Sequence, residues 1–485
     1  MKKKYIALAI IILVQLAGGV YKVTRVPELY GYDGHYHMYL TERCIEEGKI
    51  PEYEINCLQK TKINYPTALY TAISSIHLIS GINLLELFRY FGPILFSFLL
   101  LCLYMVLQEI TKNEVSSLFG VITLGSNVWL LYRSYYGALP EAFALIFHVL
   151  SIYFLLKEKK LFFCVIVLAG AYFHLHTFFY IIIFFLAYYA IDITKINKIS
   201  KKTAIKCLMI VSIALILLIP ILEDIAIHYS KYLNVHVKGE VKLEYQPSPE
   251  RYDPLNLSDF IDNIGVIPLI FFPIGIYVLL KSKNKNKLKF LLLIWLLTTF
   301  IPTQSTRVGM CMISYRFGVY FSIPLVIVSS YGFNEIITKK YNLKSKLRYF
   351  TIIIIFFTIS SFTYNTLSVR GFVGFQDTDF NAKKWLETNT DKDSIILTTS
   401  KLGVDFLPNF KKDCRIEIGA KILSMSSSDA IRKFVKREYK NRKVYFLLIS
   451  SRKLDLDKRY PDRFELLSDF PLVFEEGDTR IYRLQ

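Results

Sequence analysis

Two short polar motifs carry the residues best suited to chemistry. Tyr32-Asp33-Gly34-His35-Tyr36-His37 sets one carboxylate beside two imidazoles and two phenols. Such groups, so close in sequence, can bind a divalent cation or serve as a general base. They equally fit an interfacial aromatic belt with one solvated acid. Gly137-Ala138-Leu139-Pro140-Glu141 puts an acid straight after a proline, at the start of an apolar run. Proline suits a first helical turn and an acid suits a helix N-terminus, so capping alone would explain Glu141. The functional reading gains weight because the topology below puts Asp33 and Glu141 on one side of a membrane.

A third motif, Tyr315-Arg316-Phe317, places a cation just inside another apolar run. A charge at that depth is costly unless it snorkels or is paired. A guanidinium forks onto phosphate oxygens, so a phosphate is one fitting partner and lipid head groups are the other. Arg307 lies nearby on the same outer side and is the second phosphate candidate. His174 and His176 interrupt a long apolar stretch and fit either belt residues or ligands. Glu223 and Asp224, at the outer end of a further run, are candidates of similar rank.

The elements that must hold these residues are apolar helices. The chain has 485 residues, 53% of them hydrophobic, with a mean hydropathy of +0.36. A soluble protein of this length needs far fewer uninterrupted apolar runs; about 20 such residues match a hydrocarbon core of ~30 Å. Spans are expected near 4–20, 88–108, 115–132, 141–156, 161–174, 177–191, 203–222, 263–280, 288–302, 313–332 and 347–364, about eleven in all. Lysines cluster in every second loop: Lys2–Lys4, Lys112, Lys157 to Lys160, Lys195 to Lys202, Lys281 to Lys289, and Lys339 to Arg348. The intervening short loops hold only Arg133 and Arg307. The positive-inside rule then sets the N-terminus in the cytoplasm and the C-terminal segment outside.

Residues 67–80 are apolar enough to pass for a span, but counting them would reverse every later loop. They are read as an interfacial or re-entrant helix within a long outer loop, 21–87. A second long outer loop, 223–262, is polar and proline-bearing. Residues 1–364 thus form the membrane domain. Residues 365–485 are charged and mix strand-like runs, Ser394–Thr398 and Val444–Ile449, with a helical stretch, Asp429–Tyr439. They are expected to form a small extracytoplasmic α/β domain.

Other classes fit less well. The net charge of +19 resides mostly in short loops between spans, so nucleic acid is not implied. No glycine-rich phosphate loop points to a nucleotide cofactor. No chain of acids in mid-span points to a proton pump. The seven cysteines are scattered; Cys102, Cys164 and Cys207 fit as small core residues, and Cys44 and Cys57 share one outer loop and could pair. Lys2–Lys4 before an apolar stretch reads as an uncleaved signal-anchor. Asn256-Leu257-Ser258 is a glycosylation sequon, a short and tolerant pattern.

Taken together, the motifs resemble the C-type superfamily of polytopic glycosyltransferases that use lipid-linked sugars. The nearest likeness is to archaeal and bacterial catalytic subunits of oligosaccharyltransferase. Asp33-Gly34-His35-Tyr36-His37 resembles that family's Asp-x-x-Tyr-His, whose Asp binds a metal and the acceptor. Tyr132-Arg133-Ser134-Tyr135-Tyr136-Gly137, running on to Glu141, resembles its Arg-Ser-x-x-Gly-x-x-Asp-x-Glu/Asp segment. Tyr315-Arg316-Phe317, followed by Pro324 and Gly332, resembles the span whose Arg binds the lipid-linked phosphate. Ala382-x-x-Trp385-Leu386-x-x-Asn389-Thr390 resembles the start of its outer domain. There are departures. Leu139 stands where the family has the second motif's other acid, and Thr398-Thr399-Ser400-Lys401-Leu402-Gly403 stands where it has Trp-Trp-Asp-Tyr-Gly. A third metal ligand from loop 223–262 has no clear match; Glu240, Glu244, Glu250 and Asp253 are all available.

The resemblance implies a membrane glycosyltransferase that moves a sugar from a polyprenyl- or dolichyl-phosphate donor to a glycan, lipid or protein acceptor at the outer face. Asp33 and Glu141 would be the catalytic acids and the metal ligands, for manganese or magnesium; with Leu139 in place of an acid, metal dependence is expected to be weak or absent. Arg316, His37, Tyr36, Arg307, His174 and His176 would bind substrate. An inverting single displacement is expected. The missing Trp-Trp-Asp-Tyr-Gly motif weighs against protein glycosylation, which remains an alternative. So does a transporter or flippase of lipid-linked sugars, though the chain lacks the repeated halves such a protein would show.

Overall fold

The computed structural model describes residues 3–25, 29, 32–51, 53–56, 59–62, 67–135, 137–174, 253–281, 286–304, 307, 314–339, 377–391, 393–398, 413–415, 421–448 and 463–485. Long apolar stretches become helices there. Among the described residues, four helices are long and apolar enough to cross a membrane: α1 (Lys3–Val23), α4 (Leu84–Thr111), α7 (Leu139–Leu156) and α12 (Ser314–Lys339). Two bent pairs are each long enough when taken together. These are α5 (Glu114–Gly125) with α6 (Val128–Tyr135), bent by 59°, and α9 (Leu257–Ile264) with α10 (Val266–Lys281), bent by 112°. Two more apolar helices, α8 (Lys160–Phe173) and α11 (Asn286–Thr303), are shorter in their apolar part. The expected spans 177–191, 203–222 and 347–364 lie outside the described residues.

The segment between α1 and α4 is more ordered than a loop. It contains helix α2 (Tyr32–Glu47), a two-stranded antiparallel ribbon of β1 (Tyr53–Asn56) and β2 (Gln59–Lys62), and helix α3 (Ala68–Ser80). Apolar patterning does not predict a helix over 32–47. Its apolar residues are few and its buried face is built from His35, His37, Tyr39, Leu40 and Thr41, which a search for apolar runs overlooks. α3, at 13 residues, is too short to span, in keeping with an interfacial or re-entrant element. Cys44 is half-buried and has no disulfide partner among the described residues; Cys57, its suggested partner, lies outside them.

Packing gathers the helices around α4, α7 and α12. One continuous core joins Leu40 of α2, Tyr70 of α3, Leu99 and Leu103 of α4, Leu145 of α7, Trp295 of α11 and Val326 of α12. α1 docks on this bundle, where Gln15 donates to the Tyr135 hydroxyl at 2.8 Å.

The C-terminal segment builds a separate core. Helix α13 (Asp377–Asn389) precedes a five-stranded sheet of β3 (Ile395–Thr398), β4 (Asp413–Arg415), β5 (Val444–Leu448), β6 (Leu472–Glu476) and β7 (Thr479–Arg483). Its order is β4-β3-β5-β7-β6, parallel on the β4-β3-β5 side and antiparallel beyond β5. Helix α14 (Ser428–Tyr439) lays Ile431, Phe434 and Val435 onto the sheet residues Ile395, Leu397, Val444 and Phe446. The strands and helix expected at 394–398, 444–449 and 429–439 form within about a residue of those bounds. The architecture is a polytopic helical membrane protein carrying a small C-terminal α/β unit.

Candidate active site

The site is assembled at a helix-to-helix turn. Asn127 opens α6 by accepting from the Leu130 amide at 2.9 Å. Arg133 falls in the last turn of α6, and Glu141 in the first turn of α7. A cation at a helix C-terminus and an anion at a helix N-terminus each complement their helix dipole. Gly137, at φ +86°, reverses the chain between them. The two ends then meet: Arg133 Nε donates to Glu141 Oε2 at 2.7 Å, and Nη2 pairs with the same oxygen. Both residues are buried, Arg133 6% and Glu141 2% exposed. Removing one partner from a buried pair costs roughly 3–5 kcal/mol, because the other charge is stranded.

Asp33 reaches this pair from α2, between α1 and α4. It lies in the first turn of α2, with Oδ2 3.7 Å from Arg133 Nη1. Its side chain remains 43% exposed, so one face of the carboxylate is open to a substrate. The approach depends on glycine at 137, whose backbone packs on that of Gly34. A Cβ on Gly137 would strike the backbone N and Cα of Gly34. The two motifs singled out in the sequence are therefore in direct backbone contact.

Arg316 comes from the first turn of α12. It lies within electrostatic reach of Arg133, Glu141, Asp33 and Tyr315. Gly318, two residues on, admits Trp129 of α6 against the α12 backbone; a Cβ there would sit 2.9 Å from the indole. That contact docks the Arg316 end of α12 beside the helix that carries Arg133. Arg316 Nε and Glu141 Oε1 are both buried and have no hydrogen-bond partner among the described residues. Buried polar atoms are nearly always satisfied, so two unmatched atoms in one cluster make it a candidate binding site.

The remaining candidates divide. His37 is 3% exposed, and its Nδ1 lies 3.1 Å from the Tyr70 hydroxyl of α3. Burial holds its pKa down to about 4, although Asp33 pulls it the other way. It is a neutral imidazole that anchors α2 to α3. Tyr36 is half-buried with its ring against His37. His35, which the sequence reading grouped with them, turns toward Phe380 of α13, ring centroids 5.9 Å apart; burial first and Lys383 second push it down to about 3. His174 caps α8 and places Nδ1 3.3 Å from the Tyr320 hydroxyl, one helical turn below Arg316. Arg307 is exposed and donates to Asn256 Oδ1 at 3.1 Å. Asn256 opens α9, and its amide donates to Asp259 Oδ2, so the sequon-like triplet doubles as a helix start. His176, Glu223, Asp224, Glu240, Glu244 and Glu250 lie outside the described residues; Asp253 is exposed. Among the described residues, no three His, Cys, Asp or Glu side chains converge to hold a metal.

The fold and this cluster define a class: the C-type membrane glycosyltransferase fold, with acids and arginines brought to one end of the bundle. Over residues 80–374 the sequence matches the EpsG family, and the chain belongs to it. That stretch includes Arg133, Glu141 and Arg316. Solved structures are similar in fold. The oligosaccharyltransferase of Archaeoglobus fulgidus, in its apo form, superposes with a TM-score of 0.67 at 12% identity, over 92% of this chain and 69% of that one. It has also been solved with an inhibitory peptide and a dolichol-phosphate. ArnT from Cupriavidus metallidurans, bound to undecaprenyl phosphate, gives 0.56 at 9% identity, over 99% and 98% of the two chains. The mycobacterial arabinofuranosyltransferase AftD gives 0.52 at 10% identity, over 100% and 40%. No curated protein sequence matches the chain.

Proposed function

We propose that this protein transfers a sugar from a polyprenyl- or dolichyl-phosphate-linked donor to an acceptor at the outer membrane face, by an inverting single displacement. The observation that carries the reading is the gathering of Asp33, Arg133, Glu141 and Arg316 from α2, α6, α7 and α12, with Arg316 Nε unmatched among the described residues. Fold relatives with a bound dolichol-phosphate or undecaprenyl phosphate support a donor of that class.

The roles follow from the charges. Arg133 is engaged by two carboxylates, so Arg316 is the cation left for an incoming anion. Its planar fork suits the donor phosphate and stabilises negative charge as the glycosidic bond breaks. Asp33 is the open carboxylate and takes the proton of the acceptor hydroxyl. Glu141 holds Arg133 with one oxygen and offers the other, Oε1, to a hydroxyl of the substrate. General-base assistance of this kind contributes typically ~10²–10⁴-fold. The site sits at one end of the bundle, where a lipid carrier can stay in the bilayer while its head group reaches the acids.

The test is transfer by purified protein in lipid, offered a panel of radiolabelled polyprenyl-phosphate sugars with membrane extract as acceptor source. A labelled product with at least one donor, lost in Asp33→Asn, is expected. Movement of intact donor across the bilayer without a labelled product would identify a flippase instead.

A further inference from the structure

In the oligosaccharyltransferase pattern a metal ion is held by carboxylates from the first outer loop and from the segment leading into the fourth span. In this chain a side chain takes that place. Arg133 commits Nε and Nη2 to Glu141 Oε2 and turns Nη1 toward Asp33 Oδ2. Leu139, fully buried, stands where the pattern has its second acid. A divalent ion between Asp33 and Glu141 would sit against a guanidinium of like charge that already engages both carboxylates and occupies Glu141 Oε2 with two N–H groups. The residues present fit an organic cation and do not fit a metal.

We propose that Arg133 is the resident cation of the site: a positioning residue that bridges Asp33 and Glu141 and makes divalent metal unnecessary for transfer. A guanidinium suits this role because it is always charged and presents several donors in a rigid plane, so it can address two carboxylates at once. An ammonium is a point charge and would settle on one of them. The bridge fixes the acceptor-side acid relative to the turn that carries Glu141, and it leaves Arg316 unneutralised for the donor phosphate. The inference rests on reading this cluster as a glycosyltransferase site, but its test does not.

Manganese uptake is measured by electron paramagnetic resonance on the full chain in lipid nanodiscs, for wild type, Arg133→Lys and Arg133→Ala. Sugar transfer is followed in parallel, with and without chelator. Wild type is expected to take up no stoichiometric manganese and to keep its rate in chelator. Arg133→Ala is expected to lose about 100-fold or more in rate, the scale of a mispositioned general base, and to regain part of it with added methylguanidinium. A residue that only supported folding would show no such rescue. Arg133→Lys is expected to bind donor normally but turn over slowly. Uptake of one manganese per wild-type chain, abolished by Glu141→Gln, would overturn the assignment, as would transfer that stops in chelator and returns with metal. Both wild-type arms hold even if Arg133→Ala fails to fold. If no donor supports transfer, the functional reading falls, while manganese uptake still decides the role of Arg133.

Discussion

Asp33 is the one acid of the cluster left open to solvent, and its amide should remove the base while keeping the shape. Asp33→Asn is expected to cost ~10²-fold or more in transfer rate, with donor binding retained; a radiolabel transfer assay beside a donor-binding titration checks both. Arg316→Ala should weaken donor binding by about 1.5–3 kcal/mol, the range for a charge-assisted hydrogen bond, or about 10- to 150-fold. Arg307→Ala should leave donor affinity within about twofold, because Arg307 is exposed and engaged by Asn256. Isothermal titration with a soluble short-chain donor separates the two. His35 and His37 give a pH signature. Their folded pKa values, about 3 and about 4, lie below the unfolded value near 6.5. As pH falls through 6.5 the unfolded chain gains protons that the folded chain refuses, so stability present above 6.5 is lost toward pH 4, by at most about 1.4 kcal/mol per pH unit for each histidine. Thermal unfolding in detergent from pH 7 to pH 5 should show the fall, and His37→Asn should flatten it.

Single residues were legible where their type was out of place: a carboxylate among aromatics, an acid after a proline, an arginine inside an apolar run. Asp33, Glu141 and Arg316 stand out in that way, and the fold brings them together. The role of Arg133 was not legible. Its partner lies eight residues on, across a turn whose geometry depends on a glycine at positive φ. An Arg followed by Gly, Pro and Glu over a helix break is the signal that could have exposed it.

At the scale of elements, apolar length drew most of the helices well. The bends of 59° and 112° were invisible, because hydropathy says nothing about direction. Helix α2 was missed because it is polar and buried at once, which happens when an element packs against a site instead of lipid. The turn at Gly137 offers a direct test. Any side chain at a positive φ costs about 1–2 kcal/mol, and at 137 the new methyl also meets the Gly34 backbone. Gly81 has a similar φ, +71°, with open space around it. Gly137→Ala should therefore lower the melting temperature more than Gly81→Ala and should alone reduce transfer, read by differential scanning fluorimetry and the transfer assay.

Over the whole molecule, the lysine asymmetry predicts an orientation that the packing does not give. We expect the C-terminal unit and the first outer loop to lie outside and Lys281–Lys289 to lie inside. Reporter fusions after Gln485 and within 282–285 check this; activity of the C-terminal fusion only in the cytoplasm would reverse the molecule and move the site to the wrong face. The C-terminal sheet was readable in the sequence because its strands are short, β-branched and separated by charge. The contact of Phe380 with His35 was not, since it joins residues far apart in the chain.

The paired glycines bear on how a chain of this kind can diverge. A side chain gained at Gly137 would wedge the two acid-bearing segments apart in one step, whereas one at Gly34 would meet Gly137 only at ordinary contact distance. The turn after α6 is therefore the fixed side of this contact and the first loop the more tolerant one. New specificity has more room elsewhere, along the approach to Arg316 and on the surface of the C-terminal unit, where a change leaves the spacing of the acids untouched.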